Sequence, residues 1–295
     1  MNKTAMEKIA LSVRALAMDA IQKANSGHPG MVLGAAELGA MLYGEILKHD
    51  PANPKYPDRD RFVLSVGHGS MFLYSLLHLS GYADMTLDAI KSFRQIGSSA
   101  AGHPEYGVSG GIEMTTGPLG QGVATSVGMA IAETMLAARF NTAGRKIVDH
   151  YTYVLVGDGC LQEGVACEAS SLAGHLKLGK LIVYYDSNRV TIDGFTDISF
   201  TEDVGKRYEA YGWQVLSGSM YDFDEISRLT SHLNEFRKEA ENNIRPGKKL
   251  DFLCQEINRE INTIGSKSAI IEVSSEVVKM KETLENIREQ LRNIE

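Results

Sequence analysis

The stretch from Tyr151 to Asn188 constrains this chain more than any other. An apolar run, Tyr151-Thr-Tyr-Val-Leu-Val156, ends in Gly157-Asp158-Gly159. A helical pattern follows, roughly Gln162 to Gly174. Gly179 then turns the chain into a second run, Leu181-Ile-Val-Tyr-Tyr185, which leads into Asp186-Ser187-Asn188. Short, continuous apolar runs bounded by Gly and Asp mark strands buried on both faces. The spacing therefore predicts strands over 151–156 and 181–185, parallel to each other and joined by a right-handed crossover. Asp158 and Asn188 then fall at the carboxyl ends of neighbouring strands, the rim where open α/β sheets bind ligands. Strand–helix alternation over the first part of the chain predicts an α/β fold, a parallel sheet covered by helices on both faces.

The residue types at that rim suit a magnesium–diphosphate site. Mg²⁺ takes about six oxygens in octahedral geometry and usually shares them with substrate phosphates. Asp158 offers a carboxylate, Asn188 an amide oxygen, and Val190 a backbone carbonyl just beyond. Gly157 and Gly159 carry no Cβ, so phosphates can approach the backbone, and a helix N-terminus adds N–H donors. The bland alternative is a plain strand–turn–helix in which Asp158 is the N-cap. Three histidines, His28, His68 and His103, stand next to Gly or Pro in turns. Beside a diphosphate site they read as donors and proton shuttles for a polyhydroxylated substrate.

The last 71 residues differ in kind. They hold 12 of the 30 Lys+Arg and 13 of the 37 Asp+Glu, but only 2 of the 29 Gly and none of the 12 Tyr. Such a break predicts two folding units, 1–224 and 225–295. Apolar residues in the second step by three and four: Ile226, Leu229, Leu233 and Phe236, then Leu250, Leu253, Ile257, Ile261 and Ile264, then Val277, Met280, Leu284, Ile287, Leu291 and Ile294. These predict amphipathic helices, the last either packed on its own chain or forming an oligomer seam. Glu256, Arg259 and Glu260 share a helix face, either as a solvated ion-pair surface or as metal-positioning carboxylates, with Arg259 and Lys267 for RNA phosphate. The net charge of −7 argues against nucleic-acid binding by the chain as a whole, though not by a local patch. Three cysteines fit no disulfide or zinc pattern, and no transmembrane helix or signal peptide is expected, which together predict a cytoplasmic protein.

Gly157-Asp158-Gly159 with Asn188 resembles the thiamine-diphosphate motif, and its surroundings resemble transketolases over roughly residues 8–224. The supporting motifs are Ser26-Gly27-His28-Pro29-Gly30, Asp58 to Ser65, Gly67-His68-Gly69-Ser70, Gly102-His103-Pro104-Glu105 and Thr115 to Gly122. Dihydroxyacetone synthase and deoxyxylulose-phosphate synthase share part of the pattern. The resemblance implies thiamine diphosphate and Mg²⁺ (or Ca²⁺ or Mn²⁺), bound by Gly157, Asp158, Gly159 and Asn188, with Asp158, Asn188 and Val190 on the metal. It implies that His28 and His103 meet the sugar's oxygens and that His68 lies near the diphosphate and reacting carbon. The Gly117 carbonyl and Leu119 backbone would meet the aminopyrimidine, and Glu163 would join a carboxylate network at a subunit interface. The implied reaction moves a two-carbon ketol unit between sugar phosphates in the pentose phosphate pathway, in a dimer. The glutamate that activates the cofactor would come from a pyrimidine-binding domain on a second protomer or partner subunit, which this chain is expected not to contain.

Past Trp213-Gln-Val-Leu216 the transketolase pattern is expected to continue into a further strand, and this chain departs from it. Residues 225–295 instead resemble the C-terminal region of YicC-like endoribonucleases, through Lys249-Leu-Asp-Phe252, Gln255-Glu256, Asn258-Arg259-Glu260 and Asn262 to Lys267. Three readings follow: a transketolase N-terminal subunit or fragment lacking its last strand, an RNA-processing or oligomerising helical module, or a non-catalytic chimera of the two.

Overall fold

The computed structural model describes residues 3–191, 194–216, 233, 236, 239, 247–267 and 271–292. The chain divides into two compact units, Met1–Leu216 and Ser217–Glu295. The expected boundary at 224/225 lies outside the described residues.

The first unit runs α1 (Lys3–Ala24), α2 (Gly30–Met41), β1 (Arg61–Leu64), α3 (Ser70–Ser80), α4 (Leu87–Lys91), α5 (Gln121–Phe140), β2 (Thr152–Gly157), α6 (Asp158–Gln162), α7 (Gly164–His175), β3 (Leu181–Asp186), the short pair β4 (Val190–Thr191) and β5 (Gly194–Phe195), and α8 (Val204–Ala210). Strands β1, β2 and β3 form one parallel sheet in that order. Thr152 lies opposite Arg61 on one side and Leu181 on the other, and Gly157 lies opposite Asp186. Central β2 is buried from Thr152 to Val156, as a strand covered on both faces must be. That explains why its sequence is a continuous apolar run rather than an alternating one. Helix α5 packs on β1, β2 and α7. By length and composition it is the one candidate membrane span among the described residues. Its packing makes it the sheet's covering helix.

At the sheet's amino-terminal rim, the Asp60 carboxylate accepts from the Tyr151 and Lys48 amides at 2.7 and 2.8 Å. Lys48 Nζ also meets Asp58 at 2.6 Å. These bonds tie the entries of β1 and β2 together and leave the opposite rim to the motif loops.

Both sequence-read strands lie one residue from their expected ends. The helix read from roughly Gln162 to Gly174 is α7, within two residues at each end, and it is preceded by the short α6, which the sequence pattern did not show. α6 starts directly at Asp158, and the chain is extended at Glu163 before α7 begins. The break frees the Leu161 carbonyl from helical bonding, and Arg207 Nη2 donates to it at 2.7 Å. Trp213–Leu216 forms no strand; the Trp213 indole donates to the Ser170 carbonyl at 2.9 Å.

The second unit contains α9 (Gly247–Lys267) and α10 (Ile271–Arg292). Cys254, Ile257 and Ile261 of α9 bury against Val277 and Leu284 of α10, with Met280, Ile287 and Leu291 packed beside them. The stripe on α10 thus packs on a helix of its own chain. Leu250 and Leu253 are buried as the spacing predicted, and Phe236 packs on the same cluster. Ile226, Leu229 and Ile294, and the side chains of Ile264 and Lys267, lie outside what is described.

Candidate functional site

Three parallel strands deliver three loops to one rim. β1 leads into Ser65–His68, β2 into Gly157-Asp158-Gly159, and β3 into Asp186-Ser187-Asn188. The Thr115–Gly120 loop lies across the first two. A Cβ on Gly67 would stand 2.6 Å from the Gly117 nitrogen, and one on Gly159 would stand 2.9 Å from Leu119 Cδ1. Gly117 itself has φ +146°, and a Cβ there would press on the His103 ring at 3.2 Å. The backbone approach at Gly67 and the positive φ at Gly117 call for glycine, whereas at Gly159 the Leu119 methyl would have to shift.

Asp158 is the first residue of α6 and is 3% exposed. Gly157, not Asp158, is the N-cap, so the bland N-cap reading of this aspartate fails. Its Oδ1 accepts a 2.5 Å hydrogen bond from the Tyr185 hydroxyl. Its Oδ2 is buried and has no hydrogen-bond partner among the described residues. A buried carboxylate oxygen without a donor costs several kcal/mol unless a cation or donor meets it, by roughly the magnitudes of burying an unpaired charge. This orphan, beside a glycine cradle, fits a metal–diphosphate group.

Asn188 follows β3 on the same rim. Its Nδ2 donates to Asp186 Oδ2 at 2.9 Å, and its Oδ1 accepts from the Val190 amide at 3.0 Å. Arg189, at φ +56°, makes the tight turn that allows the second bond. An amide oxygen has two lone pairs, so Asn188 Oδ1 retains one acceptor direction. β4, which begins at Val190, packs against α6, which begins at Asp158. A cavity of about 440 Å³ opens beside Asp158, Tyr185, Ser187 and Arg189, with the 196–205 segment as its far wall. Among the described residues no three His, Cys, Asp or Glu side chains gather to hold a metal alone. A cation here would rest on one carboxylate, amide and backbone oxygens, and oxygens of the ligand itself, as Mg²⁺ sites commonly do.

The three histidines come together. The His28 and His68 rings stand edge to face with centroids 5.2 Å apart. His103 lies against Gly117, and Ser70 Oγ donates to the Gly102 carbonyl at 2.9 Å. Burial pushes the His68 pKa down to about 4, with His28 and His103 adding to the effect. His28 is lowered by burial, then by Arg94 and His103; His103 is lowered by burial, then by Arg94. All three are therefore neutral at pH 7, each with one donor and one acceptor nitrogen, which suits hydroxyl and carbonyl oxygens. Arg94 is a residue the sequence reading missed. Its Nη2 lies 3.3 Å from His28 Nδ1, and its Nη1 lies 2.5 Å from Ser26 Oγ. A guanidinium has no acceptor, so His28 Nδ1 must accept, which leaves the proton on Nε2.

Glu163 is exposed and sits at the break between α6 and α7, where a Cβ on Gly120 would come within 2.6 Å of its own Cβ. It does not join the histidine cluster. In the second unit, Arg259 Nη2 lies 2.6 Å from Glu256 and 3.5 Å from Glu260, so the three charges meet as an ion-pair face.

The depressed histidines set a pH dependence. Between the unfolded pKa of about 6.5 and the folded value near 4, the unfolded chain binds more protons than the folded one. Stability is therefore complete above about pH 6.5 and is lost as pH falls toward 4. For His68 the loss is roughly 2 kcal/mol, allowing for solvent screening of a part-exposed ring. Chemical denaturation from pH 7.5 to 4.5 should show it, and His68→Gln should flatten the slope. An unchanged slope in that variant would remove His68 as its source.

Residues 5–244 match the family described as the thiamine diphosphate binding domain of transketolase, and residues 219–295 match the C-terminal region of YicC-like endoribonucleases. A transketolase of Treponema pallidum is 65% identical over 231 residues, covering 78% of this chain and 35% of that protein. One of Geobacillus stearothermophilus is 56% identical over 233 residues, covering 79% and 34%. The chain thus spans about a third of the length of these curated relatives. Among solved structures, a Pichia stipitis transketolase mutant aligns with a TM-score of 0.73 at 37% identity, covering 99% of this chain and 46% of the other. A Campylobacter jejuni transketolase aligns at 0.71 and 37%, covering 97% and 49%.

Proposed function

Since this chain belongs to the family of transketolase thiamine-diphosphate-binding domains, we propose that it is the cofactor-binding half of a transketolase, which moves a two-carbon ketol unit between sugar phosphates. The observation that carries the reading is the buried Asp158 Oδ2, unpartnered among the described residues, at the tip of the central strand. A divalent cation, Mg²⁺ or in its place Ca²⁺ or Mn²⁺, would be held by Asp158, Asn188 and the Val190 carbonyl. Gly157 and Gly159 admit the diphosphate to the backbone, and the N-terminus of α6 faces its charge. Thiamine diphosphate supplies, when bound, the carbon nucleophile and electron sink that ketol transfer requires. Gly117 and Leu119 offer backbone groups to the aminopyrimidine. His28, through Nε2–H, and His103 hold sugar oxygens, and neutral His68 is placed to move a proton beside them.

The acid that activates the cofactor belongs, in this reading, to a pyrimidine-binding domain on a partner subunit or second protomer, which Glu163 would face. The domain division proposed is 1–224 and 225–295, the second without a role in the transfer. The protein would work in the cytoplasm, in the pentose phosphate pathway. Thermal unfolding tests the cofactor assignment. Thiamine diphosphate with Mg²⁺ should raise the midpoint by several degrees, and either alone should not. No shift with both present counts against it.

A further inference from the structure

Among the described residues, the Tyr185 hydroxyl is the only hydrogen-bond donor to the Asp158 carboxylate. It sits in β3, one residue before the strand's end, and reaches across to the neighbouring strand's tip. Tyr185 is half-buried, and both residues line the same 440 Å³ cavity. The two carboxylate oxygens are thereby made unequal. Oδ1 is occupied by a short bond, while Oδ2 is buried beside the cavity with no partner among the described residues.

We propose that Tyr185 is a positioning residue that makes Asp158 a one-oxygen ligand, and thereby sets which divalent cation the site prefers. The inference rests on the cofactor reading above. A hydroxyl donating to Oδ1 fixes the carboxylate's rotation and takes one of that oxygen's two lone pairs, so a bidentate contact has to compete with this bond. Mg²⁺ demands near-octahedral single-oxygen contacts, whereas Ca²⁺ accepts bidentate carboxylates and a looser, larger shell. Tyr185 therefore favours Mg²⁺ over Ca²⁺. Outer-shell partners that orient a ligating group commonly account for 10–100-fold in metal affinity.

The test uses the full chain, saturating thiamine diphosphate and calorimetric titration of Mg²⁺ and of Ca²⁺, in wild type, Tyr185→Phe and Asp158→Ala. Tyr185→Phe keeps the ring and removes one oxygen. It is expected to weaken Mg²⁺ binding by about 10-fold and Ca²⁺ binding by much less. A purely structural role for the hydroxyl would lower the unfolding midpoint of the ligand-free protein and weaken both cations alike. That outcome, or no change in either affinity while Asp158→Ala loses both, overturns the inference and leaves the cofactor reading standing. Metal affinities unaltered by Asp158→Ala, or no metal binding by the wild-type chain, overturn both.

Discussion

Replacing Asp158 with alanine is expected to weaken metal-dependent binding of thiamine diphosphate by at least roughly 100-fold, beyond the effect of losing an outer-shell partner. Three features set that size. Asp158 is the one carboxylate at the tip of the central strand, and it is 3% exposed. It is also the only charged oxygen donor among the three residues proposed to hold the cation, the others being an amide and a backbone carbonyl. Without it the diphosphate's charge faces α6 with no counter-ion between ligand and protein. The same change should not harm the ligand-free fold. Alanine suits the first turn of a helix, and its substitution removes a buried carboxylate oxygen that lacks a partner among the described residues. The ligand-free unfolding midpoint is expected to hold or rise while affinity collapses. A variant that unfolds early and binds poorly would instead mark Asp158 as structural. Functional groups held at a cost to stability commonly show this opposition.

The second large effect concerns the reaction. The purified chain, with thiamine diphosphate, Mg²⁺, a ketose phosphate and an aldose phosphate, is expected to show no ketol transfer. The chain covers 35% of the Treponema pallidum relative and 34% of the Geobacillus one. In the proposed division of labour it supplies histidines, diphosphate contacts and metal ligands, but not the acid that activates the cofactor. General acid–base assistance typically contributes 10²–10⁴-fold, so transfer without that acid is expected to fall into the background. Adding a polypeptide that carries the pyrimidine-binding domain of a related transketolase should bring transfer above background. That gain should vanish with His103→Ala or Asp158→Ala in this chain. Transfer by the chain alone would contradict the split. Failure of every complementing domain, despite cofactor binding, would favour a chimera that binds without catalysing.

What could be read from the sequence divides along physical lines. The tips of β2 and β3 were legible because Gly and Asp end an apolar run wherever a parallel strand meets its ligand rim. The helix pair of the second unit was legible because each apolar stripe keeps its period across several turns. The break at Glu163 was not. It depends on the Thr115–Gly120 loop pressing from one side and on Arg207 satisfying the Leu161 carbonyl from another, and both lie far away in sequence. Strand β1 was hidden inside the Asp58 to Ser65 motif, which was quoted for its resemblance, since four residues are too few for a period to declare itself. Tyr185 and Arg94 were missed for the same kind of reason. Tyr185 reads as one more apolar strand residue until the register with β2 sets it beside Asp158. Arg94 reads as a surface charge until the fold lays it against His28. Residue types told which loops carry chemistry. Pairing across the sheet told which neighbours tune it.

The claim beneath all of this is that the rim of β2 and β3 grips a pyrophosphate through a divalent cation. Isothermal titration of the wild-type chain with thiamine diphosphate, once in Mg²⁺ and once in excess chelator, addresses it with no partner protein and no assay of turnover. The account predicts a one-to-one binding heat in Mg²⁺ that disappears in chelator and is absent for thiamine lacking its phosphates. Equal heats with and without metal, or none under either condition, would contradict it.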